Sequence, residues 1–400
     1  MRRRYPASFS LGIMLCILGA SGQVAHATPE LVRAVVLVRH GVRPPTKSAD
    51  VLRAVSDRPW PTETEWGAAP GALTPHGALA LKAVALGLAR EMPALSEADH
   101  VYIYADSADQ RPRATARVLA EFWPGPGRVA YEVGVEGRRD PIFSGAPLAQ
   151  CHPPLPPRIM PWRHAAAVTW AFERLQAVVA PNACAGGEGR CLIGEDNLTS
   201  DASGVRLEGP GAEAASLAES LLLEYENGLE GDALGFGRLH PEDLPALLAI
   251  HNEVSRLTRQ DLNTASAKAA FMASSILAFL RDQPEGVGLG APPNTKLLIL
   301  VGHDTNMSAV AGVFDLALHL PLQPDATPPG GALSFELWRD TGRDFVRVRA
   351  LYQTPDEVRR LAATPLHTVA IASGLCPSGQ PCPLSDLSVR VAARLCAVRP

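Results

Sequence analysis

Two arginines flank a single histidine at the end of an apolar run near the start of the chain. The run Val35–Val38 is typical of a strand buried on both faces, and Arg39, His40 and Arg43 follow it before a Pro44-Pro45 turn. Ligands of open α/β sheets usually bind outside the carboxyl ends of strands. Guanidinium forks match phosphate oxygens, and a neutral imidazole can attack phosphorus. The stretch predicts an anion site with a histidine nucleophile, although a lone histidine here is more often structural.

A second apolar run, about 260 residues further along the chain, is also followed by polar side chains. Lys296–Val301 is a buried-type strand, and Gly302, His303 and Asp304 follow it. The histidine offers one more donor to an anion, and the aspartate offers a carboxylic acid. Asp304 could equally be only the N-cap of the next helix, since aspartate is common at such turns. The equivalent position of the two strand ends favours a shared site.

A third strand end carries further arginines. Val101–Ala105 is a short apolar strand, and Asp109, Arg111 and Arg113 stand near the start of the helix that follows it. An arginine at this point lies at the same edge of the sheet as the other two groups. The spacing leaves both arginines open as ligands of the anion.

The string RHGVRPPT from Arg39 to Thr46, together with HDTN from His303 to Asn306, resembles the signature of the histidine acid phosphatase family. Within that family the chain is most similar to bacterial periplasmic phytases. The resemblance implies an exported acid phosphomonoesterase that hydrolyses phytate or other organic phosphate monoesters. It implies that a covalent phosphohistidine forms on His40 and that Asp304 donates the proton to the leaving oxygen. The remaining implied ligands of the phosphoryl group or substrate are Arg39, Arg43, Thr46, Asp109, Arg113, His303 and Thr305.

The family pattern D-x-R-x-R-x-T places the third phosphate-binding arginine on Arg113, and Arg111 is the competing candidate. Lys47 directly follows the first motif and could add positive charge for a multiply charged substrate; it could equally be a solvated lysine. The sister glucose-1-phosphatases typically carry serine where Thr305 stands and a different residue where Gly41 stands, which favours a phytase.

One departure from the phytase pattern concerns an acidic residue near the substrate. Bacterial phytases have a glutamate a few residues before a Gly-Trp-Gly-Arg stretch, and here Gly235–Arg238 is preceded by Ala233 at that spacing. Asp232 and Glu230 are the nearby acids that could replace it. The departure leaves the preference for phytate open.

Three arginines and a second histidine can stabilise the charge on phosphoryl oxygens, so we expect no metal and no other cofactor. Asp304 must be protonated to act as an acid, which predicts an acidic pH optimum because aspartate has a pKa of about 3.9. The alternatives are a glucose-1-phosphatase or broad-specificity acid phosphatase, a mutase or phosphotransferase, and a phosphate-ester binding protein without turnover.

The composition and the first 27 residues predict an exported protein. Arg2–Arg4, the apolar run Phe9–Ala20 and the small-x-small site Ala25–Ala27 form a secretory signal peptide by pattern, with a membrane anchor as the weaker alternative. The formal net charge of −4 and the absence of a basic run argue against nucleic acid as a partner. We therefore expect a periplasmic or secreted monomer that acts on small phosphate esters and has no membrane partner after cleavage.

Six of the seven cysteines lie beyond the leader, and an even number in an exported chain implies disulfides. Six cysteines allow 15 pairings. Short spacing favours Cys184–Cys191 and Cys376–Cys382, which leaves Cys151–Cys396. The bacterial members of the resembled family have a comparable pattern. Cys16 lies within the apolar run of the leader.

The order of apolar patterns predicts an α/β protein with a mixed, mostly parallel sheet flanked by helices and an inserted, mainly α-helical domain. We expect the signal peptide at 1–27, the two parts of the α/β domain at 28–140 and 289–400, and the insert at 141–288. Residues 47–72 are predicted to be a long loop, and residues 307–320 a helix. The other predicted helices are Pro75–Met92, Pro112–Phe122, Val168–Val179, Gly211–Tyr225, Pro241–Thr258 and Ala265–Arg281, and the predicted hairpin is Leu333–Trp338 with Phe345–Tyr352.

Overall fold

A computed structural model describes residues 28–145, 158–159, 166–185, 191–201, 204–283, 289–376 and 382–395. The strands are β1 (Glu30–Arg39), β2 (Val101–Ala105), β3 (Ala130–Glu132), β4 (Arg158–Ile159), β5 (Asn197–Asp201), β6 (Gly204–Glu208), β7 (Leu297–Gly302), β8 (Ala332–Asp340), β9 (Arg343–Tyr352), β10 (His367–Ala370) and β11 (Cys382–Pro383). The helices are α1 (Ala49–Leu52), α2 (Glu63–Trp66), α3 (Pro75–Glu91), α4 (Gln110–Glu121), α5 (Pro141–Ser144), α6 (Ala166–Val179), α7 (Pro210–Glu226), α8 (Leu244–Arg259), α9 (Leu262–Leu280), α10 (Asp304–Phe314), α11 (Pro355–Arg359) and α12 (Leu384–Arg394).

The main sheet is mixed and has the strand order β10-β9-β8-β1-β7-β2-β3, with β11 paired to β9. Strands β1, β7, β2 and β3 are parallel, whereas β8 pairs antiparallel with β1 and β9 pairs antiparallel with β8. The predicted fold class is therefore confirmed. The register pairs Arg39 with Gly302, so the carboxyl ends of β1 and β7 are level. Both polar motifs consequently leave the sheet at the same edge.

Helices cover both faces of the sheet because the side chains of β1 alternate between two apolar clusters. Val36 and Val38 pack with α3 and α4, and Val35 and Leu37 pack with α9, α10 and α12. Burial on both faces explains why the strand sequence is a continuous apolar run and does not alternate with polar residues.

Helices α6, α7 and α8 pack around an apolar cluster of their own. Helix α9, which the sequence assigned to the same insert, packs instead on the sheet. The limits of the predicted domains, 28–140, 141–288 and 289–400, stay a prediction. No helix in the described part of the chain has the length and apolarity needed to cross a membrane.

Most predicted helices and the hairpin are found within a few residues of their expected limits, and two expectations are wrong. The supposed loop at 47–72 contains α1 and α2; the second begins at a capping box in which Thr62 and Glu65 satisfy each other's backbone N–H groups. Helix α10 ends at Phe314 and not at 320, because Asp315 adopts a left-handed conformation with φ of 52°. The predicted helical region also contains the hairpin β5–β6.

Two of the three predicted disulfides, Cys184–Cys191 and Cys376–Cys382, are present. The third, Cys151–Cys396, lies outside the described residues, and so does the predicted signal peptide.

Candidate active site

His40 follows the last residue of β1 and is completely buried. Its Nδ1 lies 2.9 Å from the carbonyl oxygen of Gly41. A carbonyl only accepts, so Nδ1 carries the proton and Nε2 keeps its lone pair. Within the described residues Nε2 has no hydrogen-bond partner. Burial, followed by the charges of Arg43 and Arg39, holds the pKa of this imidazole well below its usual value. His40 is therefore a neutral base with one free nitrogen.

Backbone contacts fix the position of His40 between the strands. Its N–H donates to the Gly302 carbonyl over 2.9 Å, and its own carbonyl accepts from the N–H of Gly330. The next residue must be small, because a Cβ on Gly41 would lie 2.8 Å from a methyl carbon of Leu81. The imidazole is thus held by the sheet and by a close approach to α3.

Arg39 and Arg43 share one carboxylate, that of Glu219 on α7. Arg39 Nη2 donates to Glu219 Oε1, and Arg43 Nη2 donates to the same oxygen over 3.4 Å. Burial raises the pKa of Glu219, but the two guanidinium groups outweigh it and lower this pKa overall. An anion therefore already lies between the two arginines. The sequence motifs did not identify Glu219.

A second layer of acids lies behind Arg39. Its Nη1 donates to Asp325 Oδ2 over 2.8 Å and to the Thr327 carbonyl over 2.5 Å. Glu226 is fully buried, and burial, followed by the charge of Asp325, raises its pKa well above the usual value. Its neutral form is therefore favoured, so Glu226 adds little to the negative charge that Glu219, Asp304 and Asp325 place around Arg39.

His303 lies opposite His40 at the end of β7. The two rings are 5.4 Å apart between centroids and meet edge to face. His303 Nε2 is 3.3 Å from Asp106 Oδ2, at the end of β2. Its backbone N–H donates to Asn306 Oδ1 over 2.9 Å, which ties it to the first turn of α10. The ends of β1, β7 and β2 thus bring His40, His303 and Asp106 together in one cluster of polar side chains.

Asp304 is the first residue of α10 and is buried. Its Oδ2 accepts a hydrogen bond from Nη1 of Arg259, the last residue of α8. Burial raises the pKa of Asp304, but Arg259, Arg39 and His251 outweigh burial and hold this pKa well below the usual value. The ionised form of this carboxylate is therefore favoured. Arg259, like Glu219, was not identified from the sequence.

Arg113 is the arginine that the family pattern favours as a ligand of the phosphoryl group, but its described partner is an acid. It pairs with the exposed Glu136 over 2.9 Å. Arg111 is among the charges that lower the pKa of His40 and of Arg43. Asp109 caps α4 and accepts from the backbone N–H and from the Nε of Arg111, each over 2.9 Å. The structure therefore brings Arg111, and with it Asp109, to the cluster.

Thr46 and Thr305 are exposed, the first three residues beyond Arg43 and the second directly after Asp304. Lys47 pairs with Glu213 over 2.9 Å. A cavity of about 220 Å³ adjoins this segment and is lined by residues that include Pro44, Lys47 and the indoles of the 47–72 region.

The two acids proposed to replace the phytase glutamate lie elsewhere. Glu230 is exposed and pairs with Arg359 over 3.5 Å, and the exposed Asp232 lies 3.7 Å from Arg58. Glu219 is the acid beside the arginines of the cluster.

One group of three side chains in the described ranges could hold a metal ion, namely Glu97, Asp99 and His100. They precede the first residue of β2, at the opposite end of that strand from the cluster, and two of them are exposed. The group therefore takes no part in this site.

Comparison with known proteins identifies the class. The model of the histidine phosphatase superfamily, branch 2, matches residues 216–352. Phytase AppA of Escherichia coli K12 is 28% identical over 391 residues, covering 89% of this chain and 88% of the relative. A glucose-1-phosphatase of Providencia rettgeri is 28% identical and covers 84% of each chain. The Hafnia alvei phytase in complex with myo-inositol hexakis sulphate superposes with a TM-score of 0.77 at 26% identity, covering 93% of this chain and 99% of that structure.

The family model and the relatives together support a phytase-like histidine phosphatase, an enzyme that hydrolyses phosphoric monoesters.

Proposed function

We propose that the enzyme hydrolyses phytate or other organic phosphate monoesters through a covalent phosphohistidine on His40. The observation that carries this proposal is the free Nε2 of a buried, neutral His40 beside Arg39 and Arg43. Nucleophile and cations are positioned before substrate arrives, which is the arrangement that lowers a phosphoryl-transfer barrier most.

In the first step Nε2 of His40 attacks phosphorus, the P–N bond forms and the ester P–O bond breaks. The leaving alkoxide takes a proton from the carboxylic acid of Asp304. In the second step water attacks the phosphohistidine and the P–N bond breaks. The carboxylate of Asp304 takes the proton of that water, so inorganic phosphate leaves and the acid is restored.

The phosphoryl oxygens are held by Arg39, Arg43, Arg111 and His303. In this proposal the substrate displaces the Glu219 carboxylate from Arg39 and Arg43, because both anions need the same guanidinium donors. Thr46, Asp109 and Thr305 contact the substrate from the edge of the cluster.

The choice of Arg111 over Arg113 gives a direct comparison of two neighbouring arginines. Arg111→Met is expected to raise KM for phosphate esters and to reduce kcat/KM by about 10²-fold, because a charge-assisted contact to the phosphoryl group is worth about 1.5–3 kcal/mol. Arg113→Met removes only the ion pair with the exposed Glu136 and should change kcat/KM less than about fivefold. Steady-state kinetics of both variants decide the assignment. A larger loss of kcat/KM in Arg113→Met than in Arg111→Met would mean that Arg113 is the third phosphate-binding arginine.

We also propose that the enzyme is exported to the periplasm or the medium as a monomer. The two disulfides support export, because disulfides persist in oxidising compartments.

The glucose-1-phosphatase relative makes that activity the second candidate. Phosphate release by the purified, disulfide-intact enzyme, measured with phytate and with glucose 1-phosphate between about pH 4 and 7, separates the two. Turnover of phytate is the expected result. Turnover of glucose 1-phosphate alone would contradict the proposed substrate but not the proposed mechanism. The absence of turnover with either ester would overturn the proposed function.

A further inference from the structure

The ion pair between Arg259 and Asp304 has a consequence for the choice of substrate. The side chain of Asp304 is 12% exposed, and that of Arg259 is 30% exposed. A carboxylate that accepts from a guanidinium is ionised, and an ionised carboxylate cannot donate a proton. The proposed proton donor is therefore inactive as long as this pair persists.

Four basic groups that face Asp304 favour its ionised form, whereas the carboxylate of Glu219 acts in the opposite direction. Arg259 and His251 reach it from α8, and Arg39 and His40 reach it from the end of β1. Arg39 is fully buried and tied to Asp325 and to the Thr327 carbonyl, so it cannot withdraw. Arg259 is partly exposed at the end of its helix, and its other described hydrogen bond, to Ser255 Oγ, is 3.4 Å long. Of the two arginines, Arg259 is thus the one that is free to move.

We propose, resting on the function above, that a second phosphate group of the substrate draws Arg259 away from Asp304 and so allows Asp304 to take up its proton. Asp304 must lie within hydrogen-bond reach of the leaving oxygen. In this proposal Arg259, which contacts Asp304 directly, faces the carbon next to the one that bears the leaving oxygen. A phosphate on that neighbouring carbon meets the guanidinium fork, which binds phosphate with two donors.

The substrate class that follows is a compact polyol with phosphates on adjacent carbons. Such a substrate supplies both the group to be transferred and the group that releases the proton donor. A simple alkyl monophosphate occupies the phosphoryl site but leaves Arg259 on Asp304. Arg259 is then a positioning residue that acts through Asp304 and that selects for a multiply phosphorylated ester.

The test compares Arg259→Met with the wild-type enzyme on phytate and on glycerol phosphate. General acid catalysis contributes about 10²–10⁴-fold to a rate. We expect kcat/KM of Arg259→Met for glycerol phosphate near pH 6 to be about tenfold higher than that of the wild-type enzyme, because part of this factor is recovered. The falling limb of that pH profile should move to higher pH, since the cation that lowers the pKa of Asp304 is gone. For phytate we expect KM to rise about tenfold, because one charge-assisted contact is lost.

Arg256→Met is the matched control. Arg256 lies on the same helix, is exposed and pairs with Glu253 over 2.7 Å, so its removal should leave both substrates and the pH profile unchanged. Arg259→Lys keeps the charge without the fork and should fall between wild type and Arg259→Met on both substrates. Loss of activity on both substrates in Arg259→Met, with an unmoved pH profile, would overturn the inference. Failure of the proposed function itself would differ, because the wild-type enzyme would then release no phosphate.

Discussion

Replacing His40 with alanine is expected to lower phosphate release by about 10⁴- to 10⁶-fold with every ester, the range seen when a covalent nucleophile is removed. The buried imidazole offers a lone pair on Nε2, because Nδ1 donates its proton to the Gly41 carbonyl. No water takes this position at a comparable effective concentration, since the nucleophile is held in place by the sheet. The loss should therefore be in kcat and not in KM.

The same variant tests the covalent intermediate directly. A brief incubation with substrate labelled in its phosphate, stopped in alkali, should leave label on the wild-type protein and none on His40→Ala. His319→Ala provides the control, because His319 is an exposed histidine in the segment after α10. If label persists on His40→Ala, or if this variant keeps most of its kcat, another residue is the nucleophile.

The centre of the site was accessible from the sequence because each part of it is signalled locally. A continuous apolar run marks each strand, and the abrupt change to Arg39-His40 or to His303-Asp304 marks the strand end. Parallel pairing of β1 with β7 then brings the two ends together without further information, since Arg39 lies opposite Gly302 in the register. The fold class followed from the same runs.

The third arginine could not be chosen from the sequence. Arg111 and Arg113 are two positions apart at the start of α4, and side chains at this spacing point to nearly opposite sides of a helix. Which side faces the sheet depends on how α4 packs through Ala116 and Leu119. A motif that contains both arginines carries no such information, so the preference for Arg113 had no packing argument behind it.

Glu219 and Arg259 were missed for a related reason. They lie on α7 and α8, and they reach the cluster through contacts with residues far away in the chain, Glu219 with Arg39 and Arg259 with Asp304. A weak signal existed for Glu219: it is an acid on the buried side of α7, with the buried Ala215 and Leu222 four residues before and three residues after it. An acid in such a position is rarely without a cationic partner. Arg259 had no comparable signal.

Replacing Asp304 with asparagine is the second change with a large expected effect, and its size should depend on the leaving group. Asparagine has the shape of aspartate and can still accept from Arg259, so the fold of the site is kept. It has no acidic proton to give. For phytate, an alkyl phosphate whose alkoxide leaves poorly and whose neighbouring phosphate frees Asp304 from Arg259, we expect kcat to fall by about 10²–10⁴-fold. For p-nitrophenyl phosphate, whose phenolate leaves without protonation, kcat should fall less than about tenfold.

The pH dependence supplies an independent readout of the same role. The pKa of Asp304 in the free enzyme is held well below its usual value, chiefly by Arg259 against the opposing effect of burial, so the acid form becomes scarcer as pH rises. Wild-type kcat/KM for an alkyl phosphate should therefore fall with rising pH, and the residual activity of Asp304→Asn should lack this fall. Asp386→Asn, an exposed change on α12, controls for the loss of one carboxylate. Equal losses on alkyl and p-nitrophenyl esters, with an unchanged pH profile, would mean that Asp304 only orients the site and that the proton comes from elsewhere.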